Sequence, residues 1–241
     1  MLAVLSVELR KLNRSLALLL ALAAPSLIGI FIFFNMMRGD TPQPWAMWLG
    51  SSTGIWAFFM LPMSVTALTA LVAHMEHGPR SWDHLRSLPV PRWHLYAAKA
   101  ICVLCLVAVM SLLNLGLTVA AVSAGASIKP MLTPTGDPEL AASLMLLGKV
   151  WLASLLMVAL QFWTALRFAS FVPALILGIG GTFFAVVATV ARAGVFFPWQ
   201  MPVNMLATEA WRVTTALGLG GGLGLVVLTL AVAHLARREV L

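Results

Sequence analysis

Charged side chains make up only 10% of this 241-residue sequence, whereas apolar ones make up 61%. A soluble domain uses roughly a quarter charged and about half apolar residues, so the surplus here has no interior large enough to hold it. Acidic residues are the scarcer charge, eight against fifteen Lys and Arg, for a formal net charge of +7. In one stripe that excess would suit a polyanion, but the basic residues stand at the ends of apolar runs. They read as topology signals, and no nucleic-acid partner is expected. Cysteine is nearly absent. Cys102 and Cys105 both lie inside an apolar run, which excludes a disulfide framework and makes ordinary burial a better reading of this Cys-x-x-Cys than a redox or metal role.

Catalytic motifs are missing too. There is no G-x-x-x-x-G-K-[ST] phosphate loop: the glycines at 218, 220, 221, 222 and 224 run into Leu225 and Val226 without a lysine. Their spacing, 218 to 222 and 220 to 224, instead suits close helix packing. No His-Glu-x-x-His, no Gly-x-Ser-x-Gly and no pair of intramembrane carboxylates gives an intramembrane enzyme residues to stand on. His74, Glu76 and His77, with His84 and His94, are near in sequence but read as surface groups of a polar loop rather than metal ligands. The thirteen methionines, dispersed through apolar runs, fit adaptable packing better than a copper relay.

What the sequence does have is long apolar runs. A hydrocarbon core of about 30 Å needs about 20 apolar residues as a helix, and six runs qualify: 15–37, 49–73, 100–124, 141–166, 168–190 and 214–236. The expected fold is an all-α polytopic membrane protein, one transmembrane domain over 1–241. Ala21-Leu22-Ala23 mimics a signal-peptide cleavage site, but apolar residues continue to Met37, so the first run reads as an uncleaved span.

The connections carry further expectations. Residues 1–13 place Leu2, Leu5, Leu9 and Leu12 on one helical face with Glu8 and Lys11 on the other, which predicts an interfacial helix lying on the bilayer. Trp45 and Trp48 suit the headgroup level before the second span. Residues 191–213, rich in aromatic residues and proline, read as a re-entrant or interfacial segment outside. Lys149 and Gln161 are polar groups within or near spans. Gln161 is expected to face the bundle or a cavity, and Lys149 either does so or snorkels to the outer surface.

Charge fixes the orientation. An inside amino terminus puts Arg10, Lys11, Arg14, Arg80, Arg86, Arg92, Lys99, Arg167, Arg237 and Arg238 in the cytoplasm. Arg38, Lys129, Lys149, Arg192 and Arg212 then lie outside. The balance predicts both termini in the cytoplasm. The most polar stretch, 74–99, is then a cytoplasmic loop between spans two and three. Within it, 76–88 predicts a short helix with Trp82, Leu85 and Leu88 on one face and Asp83 and Arg86 elsewhere, ended by Pro89 and Pro91. From the residues alone, such a loop serves equally as a solvated connection or as a helix offered to the groove of a partner.

Glu76 followed by Leu85-Arg86-Ser87-Leu88-Pro89-Val90-Pro91-Arg92 and Leu95-Tyr96-Ala97-Ala98-Lys99 resembles the loop between helices two and three of ABC-2 type exporter permeases, where a glutamate precedes a "slP-x-x-R…K" pattern. Glu8-Leu9-Arg10-Lys11-Leu12 with Arg14-Ser15-Leu16 is similar to that family's amino-terminal interfacial helix. Within the family the wording most resembles permeases of bacteriocin, lantibiotic and peptide-antibiotic export or immunity systems.

The resemblance implies a permease subunit of the bacterial cytoplasmic membrane, paired with a second permease, identical or homologous, and driven by a cytoplasmic ABC ATPase. It implies no cofactor on this chain, with ATP and Mg bound by the ATPase. The coupling helix would be 76–88: Trp82, Leu85 and Leu88 would pack in the ATPase groove, Arg80, Asp83 and Arg86 would form the polar rim, and Glu76 would open the helix. A membrane anchor or sensor subunit, or an intramembrane enzyme without a recognisable motif, is the alternative. The substrate, expected to be amphipathic or hydrophobic, has no legible code.

Overall fold

The computed structural model describes residues 1–13, 15–77, 91–189 and 191–237. It is 84% helix, with no strand among the described residues. An amino-terminal helix α1 (Leu2–Leu12) is followed by α2 (Leu16–Arg38), started by Ser15, whose hydroxyl accepts from the Leu18 amide. Next come α3 (Trp45–Ile55), a π-helical turn (Trp56–Met60) and α4 (Leu61–His77), stacked as one long rod. Pro62, with no N–H for the helical ladder, lies just beyond the π turn. Helix α5 (Arg92–Ile128) is the longest. Helices α6 (Leu140–Ala153) and α7 (Leu155–Arg167) meet at Ser154 with a 43° bend, and α8 (Val172–Ala188) follows. Two 3₁₀ turns (Arg192–Phe196 and Val203–Leu206) lead to a last rod made of α9 (Ala210–Leu217), a second π turn (Gly218–Leu223) and α10 (Gly224–Arg237).

Among the described residues, four helices are long and apolar enough to cross a membrane: Leu16–Arg38, Trp45–Met75, Arg92–Ile128 and Ala210–Arg237. The bent pair α6–α7 makes a fifth if it is one span. Helix α8 is as apolar but has 17 residues, about 26 Å at the helical rise. Large apolar side chains cover the outside, with Leu19, Ile30, Phe31 and Phe34 of α2 and Ile176, Phe183, Phe184 and Val187 of α8 more than half exposed. That is the surface expected where the solvent is hydrocarbon.

Inside, the helices are joined by small residues and satisfied polar groups. Ser52 of α3 bonds to Thr118 at 2.6 Å and accepts from the Asn114 amide at 3.0 Å, while the Trp56 indole donates to Ser111 at 3.1 Å. Gln161 is fully buried where α4, α7 and α8 meet. Its amide oxygen faces the Gly178 N–H at 2.9 Å, its nitrogen faces the Ala174 carbonyl at 3.2 Å, and Thr66 adjoins it at 3.1 Å. A Cβ on Gly178 would overlap Thr66 and Gln161, so glycine is required there. Gln161 thus faces the bundle, as its chemistry predicts. Lys149 is half-buried.

The glycine run divides by position. A Cβ on Gly220 would overlap the Ala153 carbonyl and one on Gly224 the Leu156 amide, whereas Gly218 and Gly222 face open space. One of the two Gly-x-x-x-Gly pairs therefore seats the last rod against the bend at Ser154. The other does not pack.

Residues 191–209 fold back compactly. Trp199 lies over Gly181 of α8, stacked on Phe197 at 5.5 Å, and Gln200 donates to the Ala185 carbonyl and to Thr189. Arg212 pairs with Glu209 at 2.9 Å and donates to Asn204 at 3.4 Å, and the guanidinium groups of Arg192 and Arg212 each lie over the Trp211 ring.

Several boundaries differ from the sequence reading. Helix α5 begins at Arg92 rather than near 100, and α4 runs to His77, so the polar interval is shorter at both ends. The fourth run is interrupted at Ser154, and the last helix begins at Ala210, inside the stretch read as re-entrant or interfacial. At the extended ends backbone hydrogen bonding carries the helix past the point where hydropathy falls, because polar residues tolerate helix ends well.

Candidate coupling site

The described helices flanking the polar interval are α4, ending at His77, and α5, starting at Arg92 after the Pro91 cap. Of the residues expected to carry coupling, Glu76 lies in the last turn of α4. Arg80, Trp82, Asp83, Leu85, Arg86 and Leu88 lie outside the described residues.

What the structure does place beside this interval is α1. The expected division of α1 holds only in part: Leu5 and Leu12 turn inward, but Leu9 is about half exposed and Glu8, expected on the opposite face, is 4% exposed. The inward stripe runs through Leu5, Glu8, Lys11 and Leu12, with Glu8 and Leu12 buried and the other two half-buried, at the three- and four-residue spacing of one helix face. The reason is electrostatic. Glu8 accepts a hydrogen bond from the ammonium of Lys99, a fully buried lysine of α5, at 2.6 Å, and from Lys11 at 2.9 Å. A buried carboxylate needs such partners, and two cations on its two oxygens supply them.

Glu8 and Lys99 are 91 residues apart in the chain, and both fall within the two stretches that carry the family resemblance. Sequence reasoning named each but did not pair them. The legible signal was a lone acid in the basic Arg10-Lys11 segment and a lone lysine entering an apolar run, each a charge in want of a partner. The pair joins α1 to α5 about two turns inside the first residue of α5. Leu12 and Tyr96 are buried in the same core.

Among the described residues, no three His, Cys, Asp or Glu side chains converge as metal ligands, and Cys102 is buried while Cys105 is exposed, both as free thiols.

Residues 4–186 match the family model described as ABC-2 family transporter protein. No curated protein and no solved structure matches the chain. That match runs from α1 into α8 and takes in both residues of the buried pair, and the chain accordingly belongs to the ABC-2 transporter family, whose members are membrane permease subunits working with an ABC ATPase.

Proposed function

We propose that this permease exports an amphipathic or hydrophobic substrate, of the peptide-antibiotic or lantibiotic kind, from the cytoplasm or the inner leaflet. The proposed topology has six spans, counting α6–α7 as one bent span and α8 as a short one, with both termini in the cytoplasm of a bacterial inner membrane. In that arrangement 191–209 is the extracytoplasmic re-entrant or interfacial segment. The whole chain, 1–241, is one transmembrane domain, functional with a second permease, identical or homologous. This chain holds no cofactor, and ATP and Mg belong to the ATPase.

The observation that carries the mechanism is the buried Glu8–Lys99 pair at 2.6 Å. A force delivered by the ATPase between α4 and α5 reaches the start of α5 directly, and the pair passes it to α1 and on to α2, against which α5 packs along its length. An ion pair removed from water holds this junction because separating it would strand two charges in a low-dielectric setting. Residues 76–88, beginning with Glu76 in the last turn of α4, act as the coupling segment, with Trp82, Leu85 and Leu88 packed into the ATPase and Arg80, Asp83 and Arg86 at the rim.

The test is a reconstituted complex with its ATPase. Leu85→Asp is expected to abolish transport-coupled ATP hydrolysis while the permease remains inserted and the complex copurifies in stoichiometric amounts. Coupled turnover at the unmodified rate in that variant would remove the coupling assignment.

A further inference from the structure

A groove of about 460 Å³ runs between the start of α5 and the end of α10, lined by Trp93, Ala97 and Leu104 on one side and Leu225, Thr229 and Ala233 on the other. Its size falls within the roughly 300–1,000 Å³ of small-molecule sites. The interior is apolar: the one hydroxyl, on Thr229, is satisfied by the Val226 carbonyl of its own helix at 2.7 Å. Leu225, Thr229 and Ala233 recur every fourth residue on α10, and the next member of that row is Arg237. On the facing helix, Arg92 is the first residue of α5, one place before Trp93. Both arginines are exposed, and neither forms an ion pair or hydrogen bond with a described residue. Trp93, 52% exposed, stands at the same end, where an indole suits the headgroup level. No acidic residue occupies the first turn of α5, so the positive end of that helix adds to the two guanidinium groups.

The Trp93–Ala233 end of the groove is adjacent in the chain to Arg92 and one helical turn from Arg237, both unpaired among the described residues, and this charge layout suits one ligand class. We propose that this groove is a binding site for an anionic glycerophospholipid, one acyl chain lying along Ala97, Leu104, Leu225 and Thr229 and the phosphate bridging Arg92 and Arg237. Guanidinium groups bind phosphate with paired hydrogen bonds, and basic pockets between helices at the cytoplasmic face take up acidic headgroups. The name of the leaflet rests on the topology proposed above. The binding itself does not, and the test is done in micelles so that the two fail separately.

Binding of phosphatidylglycerol and of phosphatidylcholine to the purified full chain is measured with fluorescent lipids in uncharged detergent. Phosphatidylglycerol is expected to bind severalfold more tightly, because the choline cation of phosphatidylcholine offsets its phosphate and is repelled by the arginines, with the preference shrinking in high salt. Arg92→Gln with Arg237→Gln is expected to bring the two lipids level, and Ala97→Phe, which fills the slot, to weaken both. The arginine pair is exposed and decides the matter even if Ala97→Phe does not fold. Equal affinity for the two lipids in the unmodified chain, or a preference that survives the double arginine change, overturns the site. So does displacement of the lipid by millimolar glycerol phosphate alone. Cross-linking between two copies through Thr229→Cys, with Cys102 and Cys105 changed to serine, would assign the groove to a second copy instead.

Discussion

Glutamine in place of Glu8 keeps the shape of the side chain and removes its charge from beside a fully buried ammonium. Taking one partner from a buried pair costs up to about 3–5 kcal/mol where the remaining charge loses the counter-ion that offsets its desolvation, and less for Lys99→Met, after which Glu8 still meets Lys11. Neither side chain is exposed beyond 4%, so solvent screening does little to reduce the figure. For a chain of this size each kcal/mol lowers the melting temperature by about 2–4 °C, so Glu8→Gln should melt lower by up to about 6–20 °C and Lys99→Met by less. The informative variant is the double one. Glu8→Leu with Lys99→Leu buries no charge and should recover most of the loss, while Lys11, 30% exposed, can turn to water. Thermal unfolding of the detergent-solubilised chain measures all four proteins. Single variants melting within 2 °C of the unmodified chain, or a double variant no better than the singles, would refute the claim that a desolvated ion pair holds α1 to α5.

The glycine run offers a paired test. Gly220→Ala drives a methyl into the Ala153 carbonyl and should destabilise by about 1–3 kcal/mol or more, whereas Gly222→Ala meets open space and should be neutral or gain up to about 1 kcal/mol of helix propensity. Unfolding curves that rank the two variants the other way would contradict the packing of the last rod on the Ser154 bend. Gln161→Leu keeps the volume but removes the groups facing Gly178 and Ala174, and is expected to cost about 1–3 kcal/mol, read as faster hydrogen exchange in α8. Trp151→Phe removes the indole donor to the Leu104 carbonyl at 3.1 Å and should lower stability by about 1 kcal/mol, with an unchanged midpoint arguing against that bond.

Composition and hydropathy were enough to establish an all-helical chain that lives in a membrane, because a lipid solvent forces backbone groups to pair within each segment and long apolar runs have no other use. The loop residues around Leu85-Arg86-Ser87-Leu88-Pro89 and the Glu8 segment were enough to suggest the family, since local motifs survive in the order of the chain. Helix ends were less legible: hydropathy placed the third span near 100, but the helix reaches back to Arg92. Periodicity also misplaced Glu8 and Leu9 on α1. It sorts residues by their affinity for water, and Glu8 is buried only because Lys99, far away in sequence, meets it. The same holds for the two Gly-x-x-x-Gly pairs, identical in spacing, of which one touches a neighbour and one does not. The sequence determined the solvent this protein lives in and the elements it makes. Which charges meet and which glycines pack was decided by the tertiary structure, because those outcomes depend on a partner that no local pattern contains.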